Sequence, residues 1–166
     1  MASKKGIIVT TVILAAITGA SFLLWVIPQD YEATFVVSDY EGYLDGVQNI
    51  HEILEGSINI EYQNLRAGKI TPESYIAVTE VTSTQVTAQI SEFVTSKPPE
   101  EWQASYISYM DAMKKFNSYI LETKVIANLI EKESPENEIG EISEKIDLMK
   151  AEYAELIEIS QQSRPN

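Results

Sequence analysis

An uncharged apolar segment near the start of the chain constrains this sequence more than any other feature. Residues 6–27, GIIVTTVILAAITGASFLLWVI, contain no Asp, Glu, Lys or Arg. A helix rises about 1.5 Å per residue, so a segment of this length can cross a hydrocarbon core about 30 Å thick. Within lipid, a helix satisfies its own backbone hydrogen bonds where water cannot. The sequence therefore predicts one transmembrane helix within residues 1–27.

The charges on either side of this segment predict its orientation. Lys4 and Lys5 precede it, whereas every acidic residue of the chain lies at or after Asp30. Because the basic flank is normally retained in the cytoplasm, we expect a cell-membrane protein with a cytoplasmic N-terminus and an extracytoplasmic C-terminal domain. Trp25 suits the lipid headgroup boundary and is predicted to be an interface anchor. The alternative is a cleaved secretory signal with residues 7–17 as its apolar core.

Small residues follow one face of the predicted anchor. Thr11, Ala15 and Gly19 are spaced four apart, which lets a second transmembrane helix approach closely. Such residues are also ordinary in membrane helices that pack against nothing in particular. We predict that this face contacts membrane helices of other subunits.

Helical periodicity dominates the chain after a connector at residues 28–38. Four segments carry apolar residues at steps of three and four, which is typical of amphipathic helices. Proline and glycine separate them, at Gly68, Pro72, Pro98-Pro99 and Pro135. The second segment is rich in Thr and β-branched residues, so its intrinsic helix propensity is the weakest of the four. The predicted core positions are Tyr40, Leu44, Val47, His51, Leu54, Ile58, Tyr62 and Leu65; Tyr75, Val78, Thr82, Val86, Ile90 and Phe93; Trp102, Tyr106, Tyr109, Met113, Phe116, Ile120, Ala127 and Ile130; and Ile139, Ile142, Ile146, Met149, Tyr153 and Leu156.

The short connections between these segments favour antiparallel neighbours with shallow crossing angles. The predicted fold is therefore all-α, with an antiparallel four-helix bundle over residues 39–166 outside the membrane. Extended hairpins that finish folding against a partner subunit have the same periodicity and are the alternative.

The absence of cysteine and the single histidine limit the chemistry. Disulfide frameworks, zinc ribbons, iron–sulfur clusters and a cysteine nucleophile are excluded. His51 and Glu55 lie one turn apart and offer two metal ligands, but ferritin-like di-iron sites need a Glu-x-x-His motif on each of two helices. We predict that His51 is structural or faces solvent, with a metal site shared between subunits as the alternative.

Acidic residues are abundant beyond the anchor, where ten basic residues stand against 25 acidic ones. This balance disfavours nucleic acid as a partner. Asp39, Glu41 and Asp45 superficially resemble a calcium loop, but Ile50 stands where the pattern requires its last Glu. We interpret this cluster as the acidic first turn of a helix.

The third segment carries an aromatic stripe that could form either a ligand pocket or the bundle core, and core is the commoner role. The stripe comprises Trp102, Tyr106, Tyr109, Phe116 and Tyr119. The chain lacks a phosphate-binding glycine loop, a dinucleotide fingerprint and a Gly-x-Ser-x-Gly elbow. We therefore predict no catalytic residue, no cofactor and no metal site, so the chain is not an enzyme by itself.

The N-terminal region resembles that of small membrane-anchored proteins of ammonia-oxidising archaea. The resemblance rests on KKGIIV at residues 4–9, on WVIPQ at residues 25–29 and on the acidic, cysteine-free helical domain that follows. In layout the chain is similar to the non-catalytic accessory subunits of the archaeal ammonia monooxygenase. That resemblance implies a membrane complex whose copper ligands lie in other subunits, and it assigns no ligand to this chain.

These observations predict a non-catalytic structural or assembly subunit of a multi-subunit membrane complex, with the archaeal ammonia monooxygenase as the specific candidate. Other subunits and the membrane are the expected partners, contacted by the anchor face and by exposed apolar residues of the third helix. The alternative is a membrane-anchored helical module that binds a small ligand or a cation. A hydrolase or metalloenzyme built on His51 and Glu55 has the least support.

Overall fold

The computed structural model describes residues 37–165, which contain no strand and form a four-helix bundle. This confirms the predicted all-α class and the bundle. The predicted anchor with Thr11, Ala15, Gly19 and Trp25, and nearly all of the connector, lie outside the described residues. Among the described helices, none has the length and apolar character needed to span a membrane. The helices are α1 (Tyr40–Arg66), α2 (Pro72–Thr95), α3 (Glu100–Glu131) and α4 (Glu136–Gln162).

The first helix begins at a carboxylate cap. The Asp39 side chain accepts a hydrogen bond from the backbone N–H of Gly42 at 2.9 Å, and Glu41 lies in the first turn. A Cβ at Gly42 would lie 2.5 Å from an Asp39 carboxylate oxygen, so glycine leaves room for the cap. Asp39 thus satisfies a backbone donor that the helix itself cannot. The interpretation of this acidic cluster as a helix start is confirmed.

Helix α2 forms in spite of its weak propensity. Its threonine hydroxyls donate to backbone carbonyls one turn back, as Thr82 does to Val78 at 2.9 Å and Thr84 to Glu80 at 2.8 Å. The hydroxyls therefore do not compete for the donors of the backbone. Burial of one face against neighbouring helices supplies the stability that propensity does not. The buried residues of α2 are Tyr75, Thr79, Thr82, Val86 and Phe93.

Helix α3 lies at the centre of the bundle and packs against the other three helices. The row predicted from its periodicity is mostly buried, but a second set of its side chains is buried too, including Ala112, Tyr119, Thr123 and Ile126. Sequence periodicity identifies only one apolar face of a helix, whereas three neighbouring helices cover most of the circumference of α3. Lys124, at a heptad position of the predicted row, pairs with Glu80 at 2.7 Å at the edge of the core.

The bundle is asymmetric because α4 packs closely on α3 but stands apart from α1. In the described bundle, no Cα atom of α1 lies within 8 Å of a Cα atom of α4. Long polar side chains bridge the gap, such as Lys150 to Asn59 at 3.0 Å and Arg164 to Asp45 at 2.8 Å. The α1–α4 seam is therefore polar, and His51 lies beside it.

Candidate functional site

The only histidine of the chain is buried between α1, α3 and α4. Its Nδ1 lies 2.8 Å from the hydroxyl of Tyr109, and its ring centroid lies 4.4 Å from that of Phe116. Only 3% of His51 is exposed, and its Nε2 has no hydrogen-bond partner among the described residues. The side chain is held by packing and by one hydrogen bond.

Burial also determines the charge of this imidazole. Desolvation lowers the pKa of His51 to about 4, against a smaller opposing effect from the nearby carboxylate of Glu55. Desolvation likewise raises the pKa of Tyr109 well above its ordinary value of 10.0. At neutral pH both groups are therefore uncharged. Neither group therefore changes its protonation near pH 7, whereas general acid–base catalysis is most efficient for a group whose pKa lies near the working pH.

Glu55 does not combine with His51 into a ligand set. Its Oε1 accepts a short hydrogen bond from the hydroxyl of Tyr153 on α4. One turn further along α1, Asn59 accepts hydrogen bonds from Tyr119 at 2.7 Å and from Lys150. Within residues 37–165, no three His, Asp or Glu side chains are grouped so that they could hold a metal ion. This region of the seam forms polar bridges between helices.

The aromatic stripe of α3 belongs mainly to the core. Tyr109, Phe116 and Tyr119 are each no more than 1% exposed and sit in the main apolar cluster, as predicted for a bundle core. Tyr106 is also buried, but its ring reaches an open groove of about 430 Å³ at the corner between α2 and α3. The groove is lined by Phe93, Val94, Lys97, Pro98, Gln103, Tyr106, Ile107 and Met110.

The outer surface of the bundle carries apolar side chains that the core does not use. On α3, Ile107, Leu121 and Val125 are exposed, in agreement with the expectation that this helix presents apolar residues outward. They are spread over 19 residues and alternate with polar positions such as Lys114 and Ser118.

A more continuous apolar surface lies on α1 and was not predicted. Ile50, Ile53 and Ile60, here called the isoleucine row, are 48%, 71% and 60% exposed. With Ser57 they follow steps of three, four and three, so they share one side of the helix. These side chains point away from the buried side that carries Leu44 and Ile58.

The surroundings of the row distinguish it from other exposed apolar residues. Leu148 on α4 is 67% exposed, close to the value for Ile53, yet charged residues surround it. Residues one turn from Leu148 are Glu144, Lys145, Ala151 and Glu152, whereas those one turn from Ile53 are Asn49, Ile50, Gly56 and Ser57. Single exposed apolar residues are common on soluble domains, but contiguous ones mark contact surfaces.

The adjacent helix extends this uncharged surface. Helix α2 has three charged residues among its 24, all acidic, and exposes Val81, Thr84 and Ala88. Stacking of Tyr43 on Phe93, with ring centroids 5.6 Å apart, and a tilted contact of Tyr62 with Tyr75 at 6.0 Å fix the register of the antiparallel α1–α2 pair. That register places the exposed residues of α2 at the height of the isoleucine row.

Two glycines of α1 adjoin the row and have no role within the bundle. A Cβ at Gly46 or Gly56 would meet no atom within 4 Å. Glycine inside a helix costs about 0.5–1 kcal/mol relative to alanine. Neither glycine is required by a turn or by internal packing, and both leave room for another chain to approach.

Comparison with known proteins gives no relative for this chain, since no family model, no curated protein and no solved structure matches it. The geometry of the described residues is therefore the basis for the functional argument. The sequence did carry a signal for the isoleucine row, namely a second set of three- and four-residue steps on α1. The predicted core row of the same helix masked it.

Proposed function

We propose that this chain is a non-catalytic, membrane-anchored accessory subunit of a multi-subunit membrane complex, with its helical bundle outside the cytoplasm. The observation that carries the proposal is the isoleucine row, whose neighbours one turn away along α1 carry no charge, on a domain otherwise rich in carboxylates. Such a surface gains about 25 cal/mol for each Å² of apolar area that a partner covers. The archaeal ammonia monooxygenase is the specific complex to which the N-terminal resemblance points.

The interior of the bundle supports a structural role. Its histidine is neutral at pH 7, Tyr109 keeps its proton, and the carboxylate of Glu55 bridges α1 to α4. Chemistry in such a complex would then be carried by other subunits. The anchor at residues 6–27, with the Thr11, Ala15 and Gly19 face, would hold the chain beside them in the membrane.

The test is extraction of native membranes in mild detergent, followed by native electrophoresis and mass spectrometry of the band that contains this chain. We expect co-migration with other membrane proteins in fixed proportion. Gly19→Leu should release the chain, because a large side chain on the anchor face prevents close helix approach.

Thr10→Leu is the matched control, since it also introduces a leucine but lies on the opposite side of the predicted anchor helix from Gly19. It should leave co-migration unchanged. Migration of the wild-type chain by itself would contradict the proposal. Release by both substitutions would argue against the anchor face, while the co-migration of the wild type would still support a complex.

One observation favours a second candidate, a membrane-anchored binding module. The groove at the α2–α3 corner is large enough for a small apolar molecule, and Lys97 could pair with an acidic group on it. Calorimetric titration of the full chain, held in lipid nanodiscs, with a medium-chain fatty acid tests this function. Saturable binding that Ile107→Asp abolishes would support a binding function for the groove. Heat no different from that of empty nanodiscs would eliminate this function.

A further inference from the structure

We propose that the outer face of the α1–α2 hairpin receives one helix of another protein, apolar on one side and flanked by Lys or Arg. The inference rests on the proposed function, because it specifies the kind of partner that an accessory subunit of this shape would contact. Three features of the face support it: the spacing of its apolar residues, the absence of charge at its centre, and the sign of the charge at its edges.

The spacing of the isoleucine row fits a helix rather than an irregular segment. Ile50, Ile53 and Ile60, with Ser57 between them, occupy successive positions of a heptad seam over about 15 Å of α1. Such a seam accepts side chains of a facing helix at the same intervals. Gly46 continues the row by one turn and has open space at its Cβ position, so the facing backbone can come close there.

The centre of the face can be covered without burying a charge. Asn49 and Gly56 flank the row on α1, Ser57 lies within it, and Val81 and Thr84 of α2 lie at its height. Burying an unpaired charge would cost several kcal/mol in a contact of this kind. A face without charges at its centre avoids that cost.

The edges of the face are acidic, and this selects the occupant. Helix α1 has five acidic residues and a single basic residue at its end, Arg66, while α2 has three acidic residues and no basic one. Within residues 37–165, Glu52, Glu61 and Glu92 make no ion pair with a basic side chain. They are therefore available to basic residues of a partner.

Charge also disfavours the two other occupants of an apolar face. A second copy of the chain would bring the same carboxylates opposite one another, and like charges in an interface are unfavourable. An anionic membrane surface would be repelled in the same way. A helix with basic flanks gains both from apolar contact and from complementary charge.

The experiment uses the full chain in nanodiscs of uncharged phosphatidylcholine and three fluorescent peptides of about three heptads each. The first peptide has leucine at positions a and d and lysine at e and g. The second replaces those lysines with glutamate, and the third has the composition of the first in scrambled order. Anisotropy titrations give the dissociation constants, with empty nanodiscs subtracted to remove binding to lipid.

We expect the lysine-flanked peptide to bind more tightly than both others and to weaken as salt is raised. The double variant Ile53→Ser/Ile60→Ser should weaken this binding by about tenfold or more. The matched control, Leu148→Ser/Ile159→Ser, removes two exposed apolar residues from α4 and should leave it unchanged. Circular dichroism of both variants should match that of the wild type, because these side chains lie outside the core.

Several results would overturn the inference. If the scrambled peptide binds as tightly as the lysine-flanked one, net charge rather than helical spacing explains the binding. If the glutamate-flanked peptide binds as tightly, the face does not select for basic flanks. If both double variants weaken peptide binding to the same extent, the peptide does not bind at the isoleucine row. Since the chain has no cysteine, Ile53→Cys provides a unique thiol, and its efficient oxidation to a disulfide-linked dimer would make a second copy the occupant. If the wild-type chain still co-migrates with other subunits, the proposed function survives any of these failures.

Discussion

Helices α1 and α4 have the same length, 27 residues, but present opposite surfaces to solvent. Helix α4 has ten charged residues, and its exposed Leu148 is surrounded by several of them. Helix α1 has six charged residues, and its exposed isoleucines adjoin one another and two glycines. Both helices bury one apolar side, so the bundle does not require this difference. The comparison shows that α1 retains features, an apolar row and open glycines, that serve nothing within the described domain.

The largest expected effect is on the free energy of unfolding, and it comes from matched alanine substitutions on the buried and exposed sides of α1 and α4. Ile58→Ala on α1 and Ile146→Ala on α4 remove fully buried side chains and should each lower the free energy of unfolding by about 2–5 kcal/mol. Ile60→Ala and Leu148→Ala should each change it by less than about 0.5 kcal/mol, because these side chains are exposed. Chemical denaturation followed by circular dichroism measures all four.

A large destabilisation by Ile60→Ala would break the comparison. It would mean that the isoleucine row packs against part of this chain rather than facing outward.

The next effect concerns the inner side of α1, where a histidine takes the place of an apolar residue. The pKa of His51 is lowered from 6.5 to about 4 in the folded state. Well above pH 6.5 the imidazole is neutral in both the folded and the unfolded chain. Its titration therefore costs no stability in that range. As the pH falls from 6.5 to 4, the unfolded chain takes up a proton that the folded chain refuses, and stability is lost. The loss amounts to about 3 kcal/mol and levels off below pH 4.

The measurement is the difference in free energy of unfolding between the wild type and His51→Gln at a series of pH values. Titration of the many carboxylates is shared by both proteins and cancels in that difference. A difference that stays constant between pH 7 and pH 4 would show that His51 is hydrated or protonated in the folded chain.

The smallest expected effect comes from glycine-to-alanine substitutions at Gly56 and Gly140, which distinguish a change in stability from a change in binding. Gly56→Ala on α1 and Gly140→Ala on α4 both place a methyl group in open space. Each should raise the free energy of unfolding by about 0.5–1 kcal/mol, because alanine restricts the unfolded chain and favours the helix. Only Gly56→Ala should weaken binding of the lysine-flanked peptide, since only that glycine adjoins the isoleucine row.

Thermal unfolding and the anisotropy titration provide the two readouts. If Gly56→Ala stabilises the chain and leaves peptide binding unchanged, the partner does not approach α1 at this glycine. Equal weakening by Gly140→Ala would indicate an effect unrelated to the face.

Much of the fold could be predicted from local signals. Asp39 and the prolines at residues 72, 99 and 135 mark helix starts because capping and proline geometry act within a single turn. Thr71 marks the start of α2 in the same way, since its hydroxyl accepts a hydrogen bond from the backbone N–H of Ser74 at 3.2 Å. Intrinsic propensity favours α2 least of the four helices, but the burial of Tyr75, Val86 and Phe93 outweighs that propensity. The burial of Ala112 and Ile126 on α3 was not predicted, because it depends on how many helices surround α3.

The candidate site was predicted less completely. The core position of His51 followed from its place in the apolar row of α1, and the structure buries it there. Its partners Tyr109 and Phe116 lie on another helix, so no spacing along the chain could identify them. The isoleucine row was missed because α1 has two apolar sides, and periodicity does not decide which of them faces the core.

The sequence by itself determined the number of helices in the bundle, their ends, and the acidic, cysteine-free character that limits the chemistry of this protein. These properties follow from interactions within a few residues and from composition. The tertiary structure decided which apolar row is buried, how far α1 stands from α4, and that an uncharged face remains open on the α1–α2 hairpin. The reason is geometric, because burial depends on where neighbouring helices lie, and long-range packing rather than local sequence sets their positions.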